Sequence, residues 1–564
     1  MFLSKTKEVI FVKRKNWICL LLVLVMALAM LPTAAFAANG TPEGNWADYA
    51  ADAFAGGTGA KDDPYLIATA EQLAKLAADV KAGEKYSNTY FRLEADLDLS
   101  AHVWTPIGTY IWPINGTSTS LAFSGNFDGN SKTISGLYVD ERETKSVAGL
   151  FGYVNCSKDD HLDVGIKDLI IVDAAIYTSE EGLMENSAGI LAGLVMANPN
   201  LSITVSNVTV SGTIVCEMTD GSNKIGGLVG DSTRVTYTDC HADGVAISGG
   251  TNMGGFAGIS GMSTFTNCTA TGTVDGGWSL GGFVGYSSSI GVEGPDVFDH
   301  CTADVDVTGF DWNLGGFAGF LEDGTITDCV AYGDVTSSAS NFQPKVGGFA
   351  GSVGNTDRVT SPSITDSHAA GVVTGAHPTI PAGGFVGYWD DATLTGCSFD
   401  ADKNPGLNSV GEGTVPGEDA IAAVSTSQVL RNICEDYYGG HSLVHVPEVD
   451  PTDTSAGNIE YWRCERCGAC FADETGTIEI DPASVTLPAT APPSIPGSNE
   501  DQVGGGDWDW PSSSGGSTSG SGSANGSTSG DKLNPDTGDS SLMAGIALLA
   551  AASVGGILLS KKRR

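Results

Sequence analysis

Residues 345–354 read KVGGFAGSVG, and the same frame returns as KIGGLVGDST (224–233), NMGGFAGISG (252–261), SLGGFVGYSS (279–288), NLGGFAGFLE (313–322) and PAGGFVGYWD (381–390). Two looser copies, SVAGLFGYV and SAGILAGLV, precede them. The second glycines are Gly149, Gly189, Gly227, Gly255, Gly282, Gly316, Gly348 and Gly384, with spacings of 40, 38, 28, 27, 34, 32 and 36 residues. Self-similarity at a near-constant period marks a solenoid, in which each unit is one coil that buries its apolar face only against its neighbours.

A second piece follows most copies: RVTYTDCHADGVAISG, TFTNCTATGTVDG, VFDHCTADVDVTG, TITDCVAYGDVTS, SITDSHAAGVVTG and TLTGCSFDAD. Alternating Val, Thr and Ile broken by Gly and Asp read as short strands and turns, and no helical period appears between Asp163 and Asp400. Stacked coils place equivalent residues above one another. Phe256, Phe283, Phe317, Phe349 and Phe385, with Leu228, are therefore expected to form one inward ladder. Val229, Ala257, Val284, Ala318, Ala350 and Val386 stay small because coils pass close. The glycines are expected to supply left-handed turns and close backbone approach. Cys240, Cys268, Cys301, Cys329 and Cys397, with Ser367 once in their place, form a second ladder of buried thiols, coils apart rather than disulfide partners. No helix follows the glycine motif, so it is not a phosphate loop.

Ahead of the repeats, GTGAKDDPYLIATAEQLAKLAADV carries a capping box from Thr69 to Gln72 and an apolar stripe of Leu73, Leu76, Ala77 and Val80. This predicts a helix that covers the open end of the solenoid. YFRLEADLDLS alternates Phe91, Leu93, Leu97 and Leu99 as a strand, and WTPIG (104–108) and residues 123–139 start the coils.

Charge and termini bound the setting. The 564 residues carry 28 basic and 67 acidic side chains, a net of −39, and 76 glycines. That sign disfavours nucleic acid and anionic membranes as partners. Lys13, Arg14 and Lys15, an apolar run over 18–30 and the small-residue site before Ala38 read as a secretory signal cleaved after Ala37; the alternative is an uncleaved anchor. At the other end stand Asn534, Pro535, Asp536, Thr537 and Gly538, then an uncharged apolar stretch over 542–559 and Lys561, Lys562, Arg563 and Arg564. The apolar stretch is long enough for a membrane helix with its basic tail inside.

That C-terminal arrangement resembles the sorting signal of Gram-positive cell-wall proteins, Leu-Pro-x-Thr-Gly, apolar helix, basic tail. The resemblance implies a sortase that cuts after Thr537 and joins it to the peptidoglycan cross-bridge. Asn534 stands where the leading Leu is usual, which bears on the sortase class. A single-pass tail anchor is the alternative. The repeats resemble GLUG repeats, found in Gram-positive surface proteins and in the region N-terminal to the protease domain of IgA peptidases. With the helix, the Cys/His tract and the Pro-, Gly- and Ser-rich stretch near 487–532, the expected fold is all-β: a right-handed parallel β-helix (pectin-lyase-like) with a short N-terminal capping helix, a small Cys/His module and a disordered stalk. The expected order is signal peptide 1–37, cap and first coils 45–144, GLUG β-helix 145–410, Cys/His module 420–485, linker 486–532 and sorting signal 533–564.

The zinc motif of IgA peptidases, His-Glu-x-x-His, is absent from the chain. A polysaccharide lyase or glycosidase would need acid/base groups on one face. Asp311, Asp323, Asp357, Asp390 and Asp391 are candidates, but they read as solvated loop carboxylates. Calcium has no EF-hand or nonapeptide spacing to hold it. The one metal-like tract is HSLVHVPEVDPTDTSAGNIEYWRCERCGACFAD, with His441, His445, Cys464, Cys467 and Cys470. A Cys-x₂-Cys pair is half a zinc site. The tract resembles a Cys/His module of Firmicutes surface proteins, with Asp453 where that module has its middle Cys. This implies a structural zinc site of His441, Asp453, Cys464 and Cys467; Cys470 or His445 as the fourth group, and a disulfide instead of a metal, remain alternatives. Residues 425–438 read as a short helix with Cys434 in its packed face. No cofactor is otherwise expected. The reading is a cell-wall-anchored, non-catalytic adhesin meeting host or matrix glycans or proteins; a carbohydrate-active enzyme and a plain spacer are the alternatives.

Overall fold

The computed structural model describes residues 41–490, apart from 112–118, 144–146, 157–163, 180–185, 218–222, 289–293, 340–343, 355–360, 376–381 and 414–419. The signal segment with Ala37 and Ala38, the linker beyond 490, and the sorting signal with Thr537 and the apolar run 542–559 lie outside the described residues. Among the described residues no helix is long and apolar enough to cross a membrane.

The chain is a parallel β-helix. Its strands fall into two long sheets of 22 and 15 strands, and coil follows coil in register. Tyr237 pairs with Phe265, Phe265 with Phe298, and Phe298 with Ile326. Among the described solenoid strands, one antiparallel hairpin joins Thr109–Ile111 to Thr119–Leu121. Pairing continues to Ile421–Val424, which adds a last strand to Cys397–Asp400.

The inward ladder forms as the repeat predicts. Phe256, Phe283, Phe317, Phe349 and Phe385 are fully buried and stack face to face, with centroids 4.7, 5.0, 4.9 and 4.8 Å apart. Their backbones bond from coil to coil, as in Phe283 N–H to Phe317 O at 2.8 Å. A second aromatic column meets this one edge-on. Tyr237, Phe265 and Phe298 stack at 5.0 and 4.9 Å, and Phe265 lies perpendicular to Phe256 at 5.6 Å. Burying each ring contributes roughly 1.5–3 kcal/mol, and favourable ring pairs about 0.5–1.5 kcal/mol more. The thiol ladder is also present: Cys240, Cys268, Cys301, Cys329 and Cys397 are buried and free, and each donates to backbone carbonyls, as Cys301 does to Phe265 O.

The glycines meet one half of the expectation, close approach, and not the other. The paired motif glycines are not in the left-handed region; they are there because no Cβ fits. A Cβ at Gly255, Gly282 or Gly316 would stand 2.3, 2.1 or 2.2 Å from the carbonyl oxygen of the equivalent glycine one coil on. The left-handed corner belongs to the residue before each thiol. Asp239, Asn267, His300, Asp328 and Asp366 have φ of 52, 54, 51, 51 and 46°, and Gly396 has 68°. Asp and Asn tolerate this conformation best among side-chain-bearing residues.

Helix α1 (Ala70–Lys81) lies where the stripe places it, with Leu73, Ala74, Leu76, Ala77 and Val80 buried. Thr69 Oγ1 accepts from Gln72 N–H, while the Gln72 side chain reaches back to Ala68 N–H. The expected long strand over YFRLEADLDLS is two, Tyr90–Leu93 and Leu97–Asp98, although Phe91, Leu93, Leu97 and Leu99 are all buried. At the far end, helix α2 (Thr426–Glu435) starts at Ser425, whose hydroxyl accepts from Gln428 N–H. It packs Val429 and Ile433 onto Val330 and Ala370 of the solenoid. An antiparallel sheet of Leu443–Val446, Tyr461–Cys464, Cys470–Phe471 and Glu479–Ile480 completes the C-terminal module.

Candidate functional site

Two places concentrate chemistry, one in the C-terminal module and one on the solenoid wall. In the module, the structure brings together Cys434, His441, Cys464 and Cys467, whose ligating atoms all lie within 4.8 Å of one another. Cys434 Sγ is 3.9 Å from Cys464 Sγ, and Cys467 Sγ is 3.4 Å from His441 Nδ1. Asp453 does not take part. It is exposed, and its Oδ1 accepts from the Thr490 hydroxyl at 2.8 Å. Nor do the other two candidates belong: His445 pairs with Glu460 at 2.8 Å, and Cys470 is bonded to Gly468 O. The fourth group is thus Cys434, from the last turn of α2, thirty positions before Cys464. Gly468, at φ +74°, closes the Cys-x₂-Cys turn and donates its N–H to Cys464 O at 3.0 Å. Burial works against the Cys464 thiolate, but the N–H groups of Cys467 and Arg466 and the His441 ring together draw its pKa down to about 6. Burial pushes Cys434 and Cys467 up.

The carboxylates divide. Asp390 is half-buried and Asp391 exposed, while Asp357 lies outside the described residues. Asp311 and Asp323 are buried, contrary to the solvated reading. Asp323 sits near two further buried acids that carry no sequence motif, Asp296 and Glu322. Asp296 accepts from Ser260 Oγ at 3.0 Å, Ser263 N–H at 2.7 Å and Ser287 Oγ at 2.6 Å. Burial raises its pKa to about 6 against those bonds. Glu322 accepts from Tyr286 OH at 2.7 Å and from Ser288. These acids tie neighbouring coils together through serines.

Asp311 is placed differently. It stands between Phe310 and Trp312, which are exposed, and Trp312 stacks on Trp278 of the previous coil at 6.0 Å with the rings 16° apart. Trp278 and Trp312 are 46% and 62% exposed, the pair that a folded core would hide if it could. A cleft of about 470 Å³ opens beside them, lined by Asp311, Trp312, Asn313, Phe320, Lys345 and Tyr388. Asp311 Oδ1 is buried with no hydrogen-bond partner among the described residues, and desolvation raises its pKa. Tyr286 and Phe320 continue the aromatic track at 5.3 Å, and Lys345 Nζ lies 4.8 Å from the Tyr388 ring centre. A second cleft of about 470 Å³ is lined by Lys61, Arg92 and Lys167; there Arg92 pairs with Glu94, and Lys167 with Asp128 and Asp168, at 2.7–2.9 Å, as Lys345 pairs with Glu412 in the first. The rule that exposed aromatics mark contact surfaces would have singled out Trp278 and Trp312, but sequence alone does not separate exposed from buried rings.

Coils with paired glycines and an inward phenylalanine define a repetitive parallel β-helix. One of these coils, residues 249–275, matches the family model of the GLUG motif. The chain is 32% identical over 375 residues to halomucin of Haloquadratum walsbyi, which is 59% of this chain and 4% of that protein. It is 34% identical over 107 residues to a protein named as a Gly-rich membrane protein of Evansella cellulosilytica, 18% of this chain and 11% of that one. The chain thus spans a small fraction of either relative. A crystal structure described as an immunoglobulin A1 protease of Bacteroides ovatus matches at 19% identity over 67% of this chain and 89% of that one, with a TM-score of 0.28.

Proposed function

We propose that this chain is a cell-surface β-helix that binds saccharides along the outer aromatic track and does not cleave them. The observation that carries the reading is the exposed Trp278–Trp312 stack beside the buried, partner-free Asp311 oxygen. A pyranose presents a C–H face that lies on an indole and an equatorial rim of hydroxyls that a carboxylate, an amide and an ammonium group can bond. Asp311 offers that rim an acceptor with no other bond among the described residues, beside Asn313, which is bonded to Ser279 and Ser352, and Lys345, which pairs with Glu412. Clefts that mix apolar walls with a few convergent polar groups are the usual form of a small-molecule site. A net charge of −39 selects neutral or basic saccharides over polyanionic ones. The surface location draws on the names of the relatives and on the terminal signals. Anchoring by a sortase at Thr537 to the peptidoglycan cross-bridge is part of the same proposal.

The experiment puts the full chain and its Trp312→Ala variant on immobilised mucin, host-matrix and plant glycans, with product release followed in the same wells. Retention by the native chain that is lost in the variant, without release, supports the reading. Release of new reducing ends or unsaturated products overturns the non-catalytic part. Retention equal in both chains overturns the assignment of the site.

A further inference from the structure

We propose that Cys434, His441, Cys464 and Cys467 hold one zinc ion, and that this ion fastens the C-terminal module to the flank of the β-helix through α2. The argument starts from distance. Zinc sits about 2.3 Å from thiolate sulfur and about 2.0–2.1 Å from imidazole nitrogen, in a tetrahedron. That geometry places two sulfurs about 3.8 Å apart and a sulfur and a nitrogen about 3.6 Å apart. The observed separations are 3.9 and 3.4 Å. Two separations thus match those of a zinc tetrahedron, and all four ligating atoms, from α2, the loop after it and the Cys-x₂-Cys turn, lie within 4.8 Å of one another. Three soft thiolates and an imidazole suit zinc and not calcium or magnesium. Four protein donors leave no open position for a substrate, which makes the site structural.

The second half of the proposal comes from the two faces of α2. Val429 and Ile433 pack on the solenoid, and Asn432 Nδ2 donates to Ser398 Oγ at 3.2 Å. Just past the helix, Asp436 bonds the buried His368 ring of the solenoid at 2.9 Å. Cys434 lies on the other side, buried with Cys464, Ala469 and Phe471 of the module. Arg431 reaches the same side and pairs with Glu479 of the module sheet at 2.5 Å. His441 is braced by Phe471, ring centres 4.7 Å apart. One helix is thus seated on the β-helix by its apolar face and offers a thiol to the module by its opposite face. A module whose sheet is this small has little core of its own, and metal binding in such a domain is folding free energy.

The test uses the full chain, purified without chelator, with metal content read by inductively coupled plasma mass spectrometry and again after cobalt loading. The expected result is one zinc per chain, and for cobalt the visible absorption of a tetrahedral thiolate site. Cys434→Ser is expected to lower metal affinity at least tenfold, whereas Asp453→Asn, His445→Gln and Cys470→Ser leave it unchanged. Removing the metal is expected to open residues 437–487 to limited proteolysis while the far-ultraviolet circular dichroism of the solenoid persists. Absence of bound metal after loading overturns the proposal, as does a disulfide between any two of the three cysteines in the native chain. Loss of the metal in Asp453→Asn with retention in Cys434→Ser overturns the ligand set. The native stoichiometry and the Asp453 variant remain decisive even if Cys434→Ser fails to fold.

Discussion

Gly316→Ala isolates the steric role of the glycine motif. In the native coil a Cβ at this position would lie 2.2 Å from Gly348 O and 3.1 Å from Ala331 Cβ, where real Cβ contacts stay above 3.0 Å. The two coils must therefore part by about 0.8 Å or more, against a strand spacing of about 4.8 Å. The bonds between these two coils beside the site, from Phe317 N–H and Ala318 N–H to Phe349 O at 2.7 and 3.0 Å, lengthen with it. Overpacking costs about 1–3 kcal/mol and each of the two weakened hydrogen bonds about 0.5–1.5 kcal/mol, so the expected loss is about 2–6 kcal/mol. Gly375→Ala is the control: among the described residues its Cβ would meet Ala382 Cβ alone, at 3.5 Å, and its backbone is outside the left-handed region. That change is expected to stay within about 1 kcal/mol of the native chain. Urea unfolding followed by far-ultraviolet circular dichroism gives both midpoints. Equal midpoints for the two variants would show that the coils do not meet at the paired glycines, and the reasoning would fall.

Other consequences are as specific. Phe317→Ala empties one rung between Phe283 and Phe349 and is expected to cost about 3–5 kcal/mol in the same unfolding assay. Asp296, fully buried, has its pKa raised from 3.8 to about 6, so its stabilising share is complete below pH about 4 and is lost as pH rises through 6, a loss of about 3 kcal/mol. His368, buried between Ser398 and Asp436, has its pKa lowered by burial to about 4, so its share is complete above pH about 6.5 and is lost as pH falls through 4, again about 3 kcal/mol. The two slopes oppose each other between pH 4 and 6.5. Asp296→Asn should therefore leave stability rising with pH in that window, and His368→Gln should leave it falling; parallel curves for both variants would contradict the assignments. Trp312→Ala, 62% exposed in the native chain, is expected to change stability by less than about 0.5 kcal/mol while removing saccharide retention.

The repeat was legible because stacking is periodic: one inward phenylalanine per coil and one thiol per corner repeat at the frame of the motif. The helix α1 was legible for a similar reason, since Thr69, Gln72 and the stripe through Val80 report a local structure. The second aromatic column was harder to see, because Tyr237, Phe265 and Phe298 give way to Ile326 and Ile364 further along the same ladder. The role of the glycines was half legible: close approach follows from composition, but only the backbone shows that Asp239 and its equivalents take the left-handed corner instead. In the module, the Cys464/Cys467 pair and His441 were legible, but the group that the structure brings beside them is Cys434 and not Asp453. Cys434 stands seven positions before His441, but it reaches the site by the docking of α2, which no Cys/His spacing encodes. The burial of Asp296 and Glu322, and of Asp323, which reads in the sequence as a solvated acid, was hidden because it comes from neighbouring coils, as with Ser260, 36 residues from Asp296, and Ser288, 34 from Glu322.

The register of the coils is the claim on which the rest stands. Thr204, Thr236, Thr264, Val297, Thr325, Ser363 and Thr393 form one outward ladder, each paired with the next. At about 4.8 Å per coil, Thr204 and Thr325 lie about 19 Å apart and Thr204 and Thr393 about 29 Å apart. All three positions are exposed, so spin labels carried on ketone amino acids reach them without touching the native thiols. Double electron–electron resonance on the two labelled pairs is predicted to give mean distances that differ by about 10 Å, the longer for Thr393. Equal distances, or a shorter one for Thr393, would contradict a solenoid with one coil per repeat.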